Sequence, residues 1–462
     1  MAARLVTFAL ILLPALGRPV LPVPSFNINL DKAPEERFRE VIGHFQAPLR
    51  GVSEMLSGPV ARRLVGEIAR HRGEETPELA GEIRGIARYS GLHLDVIRAA
   101  QLAYELQTVM VPFENLTWPW GQLTENFGFQ GFGCTGVIAR SVSDGTVTHA
   151  RNLDFSLAKW MANLTYNGVF YKGGREIFTA QMIAGYSSPL TAMRRGIDGY
   201  TIELNTRYPP KEWNVKVLWK HLFEERRVTS GWIRRQVLEK TSSFEEALHT
   251  LATAAYATTE FTVVSGRQRG TILARDPDGV YHVQELGSRR NDYIVVTNFD
   301  FWDHDRKEWL DPTAIHFGHS RRIGAERLLN ASRNIDFDYL YKVMNDDEVI
   351  AKDTIFQAFM NVELDSYKSF LPSCADCGGC VDAGECQRNG EDCCQSRSYF
   401  SGSCGLLGGR RCGCLRDGAC LRGLARAGDC CASAMHFSLG CPGSLRRCGG
   451  HAHVTSASVQ FV

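Results

Sequence analysis

The chain has 462 residues, and its 52 Lys and Arg against 51 Asp and Glu give a formal net charge of +1. This length excludes a single peptide-sized domain, and the near-neutral charge offers no broad basic surface of the kind that binds nucleic acid. The hydrophobic content of 44% and the aromatic content of 10% are those of a globular protein and exclude general disorder.

The N-terminus has the pattern of a secretory signal peptide. Arg4 precedes an apolar run over 5–13, and small residues follow at Ala15 and Gly17. The run is shorter than the roughly 20 residues that span a bilayer. We therefore expect a signal peptide at 1–17, with a buried N-terminal helix as the alternative, and a protein that is lysosomal or secreted. The Asn-x-Ser/Thr sequons, which fit glycosylation on this route, are Asn115, Asn163 and Asn330.

The segment 18–133 is predicted to be mostly helical. Apolar residues recur at roughly helical spacing over 94–106, and 35–44 and 59–70 also have a helical pattern. The Gly- and Phe-rich stretch 126–133 fits a bendable connector better than a helix.

From residue 134 to about residue 372 the pattern changes to strands with intervening helices. Runs rich in β-branched residues and bounded by Gly, Asp and Pro predict strands at 135–142, 146–149, 262–265, 271–274, 280–283 and 293–297. Helical patterns lie at 244–255 and 322–329. This grouping predicts an α+β layered domain.

The last quarter of the chain is rich in cysteine. Of 15 cysteines, 14 lie in this tail, and vicinal pairs recur within two six-cysteine repeats. Such density predicts disulfides formed in an oxidising compartment. The cysteines concerned are Cys374, Cys377, Cys380, Cys386, Cys393, Cys394, Cys404, Cys412, Cys414, Cys420, Cys430, Cys431, Cys441 and Cys448.

The repeats, at 373–412 and 413–462, resemble tandem cystine-knot (knottin) modules. Spacing alone does not fix their connectivity, because six cysteines permit 15 pairings. A competing interpretation is a zinc site, since Cys374, Cys377 and Cys380 are spaced like metal ligands. The secretory pattern and the vicinal pairs favour disulfides.

Cys134 is the single cysteine outside the tail, and a hairpin signal follows it. The Asp-Gly turn at 144–145 lies between two β-like runs and predicts a two-residue loop that places residue 134 opposite residue 155. A loop one residue longer shifts this pairing by about one. Either register brings Arg151 and Asp154 near the thiol, where they can favour a thiolate and hold an amine. The same residues also fit a buried structural cysteine beside an ion pair.

The sequence on both sides of this turn has a family resemblance. Cys-Thr-Gly-Val-Ile-Ala-Arg at 134–140 and His-Ala-Arg-Asn-Leu-Asp at 149–154 resemble the signature of the acid ceramidase and N-acylethanolamine acid amidase family. The resemblance covers roughly 26–377 and leaves out the two cysteine repeats. Further segments similar to the family, in the family's order, are 26–31, 34–38, 81–86, 103–106, 297–302, 320–322 and 330–332.

The resemblance implies an N-terminal-nucleophile (Ntn) hydrolase with an αββα sandwich and a precursor that cuts itself between Gly133 and Cys134. It implies a helical N-terminal (alpha) subunit of residues 18–133 and a catalytic (beta) subunit of residues 134–372. Because 18–133 contain no cysteine, we expect the cleaved subunits to form a noncovalent heterodimer.

The resemblance also implies residue roles. Cys134 is the nucleophile and, through its freed α-amine, the general base. Arg151 and Asp154 position that amine and the scissile amide, and Asn298 donates to the tetrahedral oxyanion. Arg322, the second residue of an Arg pair, belongs to the surrounding charge network. No cofactor and no metal are implied.

Three departures from the family pattern stand out. Gly136 replaces the Ser of the family's Cys-Thr-Ser, and one additional residue separates Cys134 from Arg151. Thr206 stands where the family tends to have Glu, between Asn and Arg. The missing carboxylate bears on the efficiency of self-cleavage and the pH optimum rather than on the nucleophile.

The implied function is hydrolysis of N-acylated lipids presented by a membrane or micelle. The substrate is either ceramide, giving sphingosine and fatty acid, or an N-acylethanolamine, giving ethanolamine and fatty acid. The apolar runs 182–186 and 190–193 can line an acyl channel or pack in a core. The alternative is a secreted binding protein that uses its knottin modules and carries a vestigial hydrolase domain. The sequence does not identify a partner for the tail.

Overall fold

The computed structural model describes the chain in segments. They are residues 20–55, 62–63, 65–67, 76–110, 133–155, 161–207, 215–287, 292–300, 302, 312–332, 334–351, 354–372, 413–414 and 420–421. The expected signal peptide, Asn115, the connector at 126–132 and the tail cysteines other than Cys414 and Cys420 lie outside these residues. No helix among the described segments is both long and apolar enough to cross a membrane.

The strands are numbered along the chain. They are β1 (Val20–Pro22), β2 (Ser25–Asn29), β3 (Cys134–Arg140), β4 (Val147–Asp154), β5 (Thr165–Lys172), β6 (Arg175–Ile183), β7 (Thr191–Arg194), β8 (Tyr200–Thr206), β9 (Glu260–Gly266), β10 (Arg269–Asp276), β11 (Gly279–Glu285), β12 (Tyr293–Val296), β13 (Thr354–Asn361), β14 (Ser366–Pro372), β15 (Gly413–Cys414) and β16 (Cys420–Leu421). Each strand predicted from the sequence is present, whereas β1, β2, β5 to β8 and β13 to β16 were not predicted.

The helices are numbered in the same way. They are α1 (Arg39–His44), α2 (Gln46–Met55), α3 (Pro77–Ser90), α4 (Leu94–Ala100), α5 (Ala103–Met110), α6 (Val215–Trp219), α7 (Ser230–Lys240), α8 (Phe244–Thr253), α9 (Pro312–Ala331) and α10 (Phe337–Asn345). The helix predicted over 94–106 is broken between α4 and α5. At this break the Gln101 side chain donates to the carbonyls of Ile97 and Gly185 at 3.0 and 2.8 Å.

Two large sheets form the centre of the fold. The first sheet has six strands in the order β1-β14-β13-β4-β3-β12, all paired antiparallel. The second sheet has eight strands in the order β11-β10-β9-β8-β7-β6-β5-β2, antiparallel except for the β2–β5 pair. The sheets face each other where β3 and β4 contact β8 and β9.

Helices cover the outer face of each sheet. Helices α9 and α10 pack on β12 and β4, and α7 and α8 pack on β6, β9 and β11. Between the sheets, Ile138 and Val147 of the first sheet share a buried cluster with Phe261, Val263 and Ile272 of the second. The molecule is therefore an αββα sandwich, and the predicted fold class is confirmed.

The N-terminal segment is less helical than its sequence pattern predicted. Strand β1 forms an edge of the first sheet, and β2 forms an edge of the second. In β2 the side chains alternate, with Ile28 fully buried between more exposed neighbours. This period of two is that of a strand with one face on the core, and it was not recognised in so short a run.

The hairpin between β3 and β4 has a register different from the predicted one. Cys134 pairs with Leu153 rather than with residue 155. The turn closes where Ser141 N–H donates to the Thr146 carbonyl at 2.9 Å, so the loop is longer than the predicted two residues. The shift is an even number of residues, and each side chain therefore keeps its predicted face of the sheet.

The packing of α3 leads to a stability prediction. A Cβ at Gly85 would lie 2.1 Å from the backbone carbonyl oxygen of Glu35, whereas a Cβ at Gly43 in α1 meets nothing within 4 Å. We expect Gly85→Ala to destabilise the fold by about 2–3 kcal/mol, because backbone must move to admit the methyl group. Thermal unfolding measures the loss, and Gly43→Ala is the control that keeps or raises the midpoint. Equal midpoints for both variants would contradict the packing described.

Candidate active site

The chain topology brings the predicted residues to one end of three neighbouring strands of the first sheet. Cys134 opens β3, and Asp154 closes its antiparallel neighbour β4. Strand β12 pairs with the other side of β3, with Val296 opposite Gly136. Asn298, two residues beyond β12, therefore lies at the same end of these strands. The fold therefore gathers Cys134, Asp154 and Asn298 from distant parts of the sequence.

The Cys134 thiol is buried against a guanidinium. Only 3% of Cys134 is exposed, and Arg151 Nη2 lies 3.2 Å from its Sγ. Arg151 also donates to the Leu190 and Leu204 carbonyls at 2.7 and 2.5 Å and to the Thr191 hydroxyl. These bonds fix the orientation of the guanidinium, so its charge faces the sulfur permanently.

The environment of the thiol favours its protonated form. Burial raises the pKa of Cys134 above its ordinary value, the Arg151 charge opposes the shift, and the carboxylates of Asp154 and Glu203 add to it. A buried thiolate without enough positive charge nearby is costly because low-dielectric surroundings disfavour the ion. Cys134 therefore needs a base to become a strong nucleophile.

The peptide bond before Cys134 is held by hydrogen bonds in the uncut chain. Asp154 N–H donates to the Gly133 carbonyl at 2.9 Å. A Cβ at Gly133 would lie 2.8 Å from Arg321 Nη2 and 3.1 Å from Asp154 Oδ2. Glycine at this position therefore lets two charged side chains pack against the bond.

Asn298 contacts the nitrogen of Cys134 through its amide oxygen. The Oδ1 atom accepts from Cys134 N–H at 3.0 Å and from Arg321 Nη2 at 2.9 Å, while Nδ2 donates to the Thr206 carbonyl at 2.8 Å. Two donors at Oδ1 fix the amide orientation. In the uncut chain Asn298 is thus an acceptor for Cys134 N–H, which differs from the oxyanion-donor role expected from the sequence.

The arginine at this site is Arg321, and the sequence had selected its neighbour. Arg321 donates from Nη1 to the Cys134 carbonyl at 2.8 Å, to the Thr135 hydroxyl at 2.6 Å and to Asp154 Oδ2 at 3.0 Å. Arg322 instead pairs with Glu326 one turn further along α9, at 2.7 Å. The turn of about 100° between successive helical residues sends the two side chains in different directions. The expectation for Arg322 is therefore corrected to Arg321.

Asp154 is buried and held by several groups. Its Oδ1 accepts from the Thr354 hydroxyl at 2.5 Å, and its Oδ2 pairs with Arg321. Burial raises the pKa of Asp154, and the charges of Arg321 and Arg151 and the Thr354 hydrogen bond oppose that shift. Thr354 opens β13 and was missed, because a Thr in a β-like run carries no sequence signal of its own.

Two of the sequons lie among the described residues. Asn163 precedes β5 and Asn330 lies near the end of α9, and both side chains are exposed. Their glycosylation stays a prediction.

Comparisons with known proteins agree with the resemblance seen in the sequence. A family model described as the beta subunit of N-acylethanolamine-hydrolyzing acid amidase matches residues 22–71. Acid ceramidase of Rattus norvegicus is 28% identical over 382 residues, which cover 77% of this chain and 88% of the relative. Acid ceramidase of Homo sapiens is 26% identical over 381 residues, covering 77% and 87%.

A solved structure is also similar. It is that of the Caenorhabditis elegans N-acylethanolamine-hydrolyzing acid amidase ortholog, with a TM-score of 0.43 and 23% sequence identity over 52% of this chain and 99% of that chain.

An αββα sandwich with a cysteine that opens a central strand is the arrangement that the resemblance to Ntn hydrolases implied. Along most of the chain the sequence is similar to acid ceramidases, and residues 22–71 are similar to the beta subunit of N-acylethanolamine-hydrolyzing acid amidase. Apart from β15 and β16, the cystine-knot extension expected from the sequence lies outside the described residues, and it stays a prediction.

The raised pKa of the thiol has a measurable consequence. In the uncut chain, alkylation of Cys134 should keep accelerating above the pH at which an ordinary thiol is fully ionised, because the thiolate forms later. Arg151→Met should move the midpoint of this profile to still higher pH by removing the stabilising charge, and Arg151→Lys should move it less. Mass spectrometry of the peptide that contains Cys134 gives the alkylated fraction over time at each pH. Denatured protein gives the reference profile of an exposed thiol. A midpoint that falls in Arg151→Met would contradict the assignment.

Proposed function

We propose that this protein is a self-cleaving cysteine amidohydrolase that hydrolyses the amide bond of N-acylated lipids. The observation that carries the proposal is the geometry at the junction of Gly133 and Cys134. The Gly133 carbonyl, which directly precedes Cys134, accepts a hydrogen bond from Asp154 N–H at 2.9 Å. On the other side of the same peptide bond, Cys134 N–H donates to Asn298 Oδ1 at 3.0 Å. Both ends of the scissile amide are thus held beside the nucleophile.

The first step is an N-to-S acyl shift. The Cys134 sulfur attacks the Gly133 carbonyl carbon, an S–C bond forms, and the C–N bond breaks as the nitrogen takes the proton that the thiol gives up. Asp154 N–H lies on the oxygen where negative charge develops, as an oxyanion donor does. Water then hydrolyses the thioester, which releases the Gly133 carboxylate and regenerates the Cys134 thiol.

Cleavage creates the base that the buried thiol lacks. The new α-amine of Cys134 has an ordinary pKa of roughly 7.7–8, close to the value of about 8.5 for an ordinary thiol. Asn298 Oδ1, which accepts the N–H of Cys134 at 3.0 Å before cleavage, would hold this amine afterwards. Arg321 donates to the same oxygen and so limits the directions in which the amide can turn. We therefore assign Asn298 to amine positioning rather than to the oxyanion.

Substrate turnover repeats the same chemistry on a lipid amide. The α-amine accepts the Cys134 proton, the sulfur attacks the acyl carbonyl, and the amine leaving group departs with that proton. Water deacylates the enzyme and yields the fatty acid. Acid ceramidases of 26–28% identity support ceramide as a substrate, and the family model that matches residues 22–71 supports N-acylethanolamines. Ceramide and N-acylethanolamines both contain the N-acyl amide that the Cys134 sulfur attacks.

The two fragments stay together through noncovalent contacts. The N-terminal fragment provides an edge strand to each sheet, with β1 on β14 and β2 on β5. Glu82 of α3 is buried between Arg37 and Arg235 at 2.9 and 3.0 Å, which joins the fragment to α7 by a buried ion pair. Gln101 further accepts from the Ser187 amide and hydroxyl. These contacts support a heterodimer that needs no disulfide between the subunits.

The route and the tail are part of the same proposal. The signal pattern at 1–17 directs the chain to the secretory pathway, and its destination is the lysosome or the exterior. The exposed sequons at Asn163 and Asn330 fit that route. The knottin-like modules at 373–412 and 413–462 form a disulfide-rich extension. The close packing of Arg151 and Arg321 around Cys134 argues against a vestigial hydrolase domain that serves only as a carrier for these modules.

Replacement of the nucleophile tests the proposal directly. On incubation of the full chain at acidic pH, we expect a wild-type fragment whose N-terminal sequence begins at Cys134, and no such fragment from Cys134→Ala. The fragments should separate on denaturing gels without reductant. The processed protein is then offered ceramide and an N-acylethanolamine in detergent micelles, with fatty acid release as the readout. Activity in a chain that remains uncut at 133–134 would overturn the proposal.

The two adjacent arginines provide a matched pair of variants. Arg321→Ala should slow self-cleavage at least about a hundredfold, the scale of losing one well-placed donor near developing charge. Arg322→Ala should leave the rate within about twofold, because its helical ion pair with Glu326 lies away from Cys134. Time courses of fragment appearance measure both rates, and far-ultraviolet circular dichroism checks folding. Equal rates in the two variants would refute the assignment of Arg321 to the site.

A further inference from the structure

A second buried acid–base pair lies behind the nucleophile and has no part in the steps above. His149 of β4 and Glu203 of β8 face each other across the two sheets, with His149 Nε2 2.7 Å from Glu203 Oε2. Both residues are 0% exposed. Ionisable groups in such a position are costly unless they are paired, so the pair needs an explanation beyond packing.

The hydrogen bonds around His149 fix the orientation of its ring. His149 Nδ1 lies 2.7 Å from the Thr201 hydroxyl, and that hydroxyl lies 3.4 Å from the Ser265 carbonyl. With one ring nitrogen on Thr201 and the other on Glu203 Oε2, the imidazole bridges β8 to β4 and holds the carboxylate in place.

The other oxygen of Glu203 faces the arginine of the active site. Glu203 Oε1 lies 3.7 Å from Arg151 Nε. Neither atom has a hydrogen-bond partner among the described residues. The Nη atoms of Arg151 are already engaged by carbonyls, a hydroxyl and the Cys134 sulfur. Asp154 pairs with Arg321. Glu203 is therefore the carboxylate that is placed to act as the counter-ion of Arg151.

A glycine makes room for this carboxylate. Gly136 pairs with Arg151 in the hairpin, and a Cβ at Gly136 would lie 2.6 Å from Glu203 Oε1 and 3.0 Å from its Cδ and Oε2. Glu203 cannot retreat easily, because His149 holds its other oxygen. The Gly that departs from the family's Cys-Thr-Ser is therefore matched to the carboxylate opposite it.

We propose that Glu203, held by His149, is the counter-ion and positioning residue of Arg151 in the reaction of Cys134. The proposal rests on the function proposed above for Cys134. The charge of Glu203 acts together with the other ionisable groups around Arg151 and the Cys134 thiol. The charged and titratable groups that face Arg151 and the thiol are Cys134 from β3, His149 and Asp154 from β4, Glu203 from β8, Tyr367 from β14, Tyr104 from α5 and Arg321 from α9.

Variants of the pair should separate a charge effect from a loss of packing. Glu203→Gln removes a negative charge that raises the pKa of Cys134, so the midpoint of its alkylation profile should move to lower pH by about one pH unit. His149→Gln keeps the Glu203 carboxylate, so its midpoint should not fall. If the two variants merely loosened the core, they would move the midpoint in the same direction.

A second pair of variants tests the fit of Gly136. Gly136→Ala keeps every charge but displaces Glu203, and we expect self-cleavage to slow about tenfold. Glu203→Asp shortens the side chain by one methylene group and makes room for the methyl, so Gly136→Ala with Glu203→Asp should cleave faster than Gly136→Ala alone. No rescue in the double variant would count against the proposed contact.

The control is a buried carboxylate elsewhere in the fold. Glu82→Gln removes a charge that pairs with Arg235 at 3.0 Å, and it should lower the thermal midpoint without moving the alkylation profile of Cys134. Alkylation requires no amide hydrolysis. If the amidase proposal fails, lipid hydrolysis and self-cleavage are absent but the midpoints keep their order. If the inference on Glu203 fails, wild-type cleavage persists and the Glu203→Gln and His149→Gln midpoints equal that of the wild type.

Discussion

The structure around the nucleophile depends on the burial of one charge, the guanidinium of Arg151. It is 0% exposed between two sheets, where an uncompensated ion costs several kcal/mol. Backbone carbonyls of Leu190 and Leu204 satisfy two of its donor directions, so the register of the second sheet is tied to a side chain of the first. Displacement of β8, or of the residues that lead into β7, would leave Arg151 unsatisfied and would withdraw positive charge from the Cys134 sulfur. Stability and reactivity are thus set by the same contacts.

Two glycines that flank the nucleophile in the sequence permit this crowding. At Gly133 a methyl group would meet Arg321, and at Gly136 it would meet Glu203. Charged side chains can approach the backbone this closely only where no Cβ intervenes. In the sequence, the glycine at 136 is one of three departures from the family pattern. In the structure the Glu203 carboxylate occupies the space that a side chain at position 136 would need. The roles of Gly136 and Glu203 therefore have to be interpreted together.

The sequence predicted the parts of the fold that local patterns encode. Strands such as β9 and β10 were located because their β-branched runs are bounded by turn residues, and Cys134, Arg151 and Asp154 came together because a hairpin signal joined them. The register of that hairpin was wrong because the loop length depends on the Ser141–Thr146 hydrogen bond. Arg321 and Arg322 are identical in type, and only the orientation of α9 distinguishes them. Glu203 was missed because a single acid in a β-like run has the pattern of a solvent-facing position, and its partner lies on another sheet.

The position of the proposed cut is compatible with the way the fold is assembled. The residues before Gly133 supply an edge strand to each sheet, β1 to the first and β2 to the second, and Glu82 forms buried ion pairs with residues on both sides of the cut. Breaking the chain at 133–134 therefore removes one covalent bond but no strand pairing and no core contact. The nitrogen released there is already bound by Asn298, so the new terminus needs no large rearrangement to become the base of the nucleophile. A fold in which the first subunit merely packed against a finished sandwich would lose that subunit after cleavage. Here its strands are part of the sandwich, and the proposed cut would leave both sheets intact.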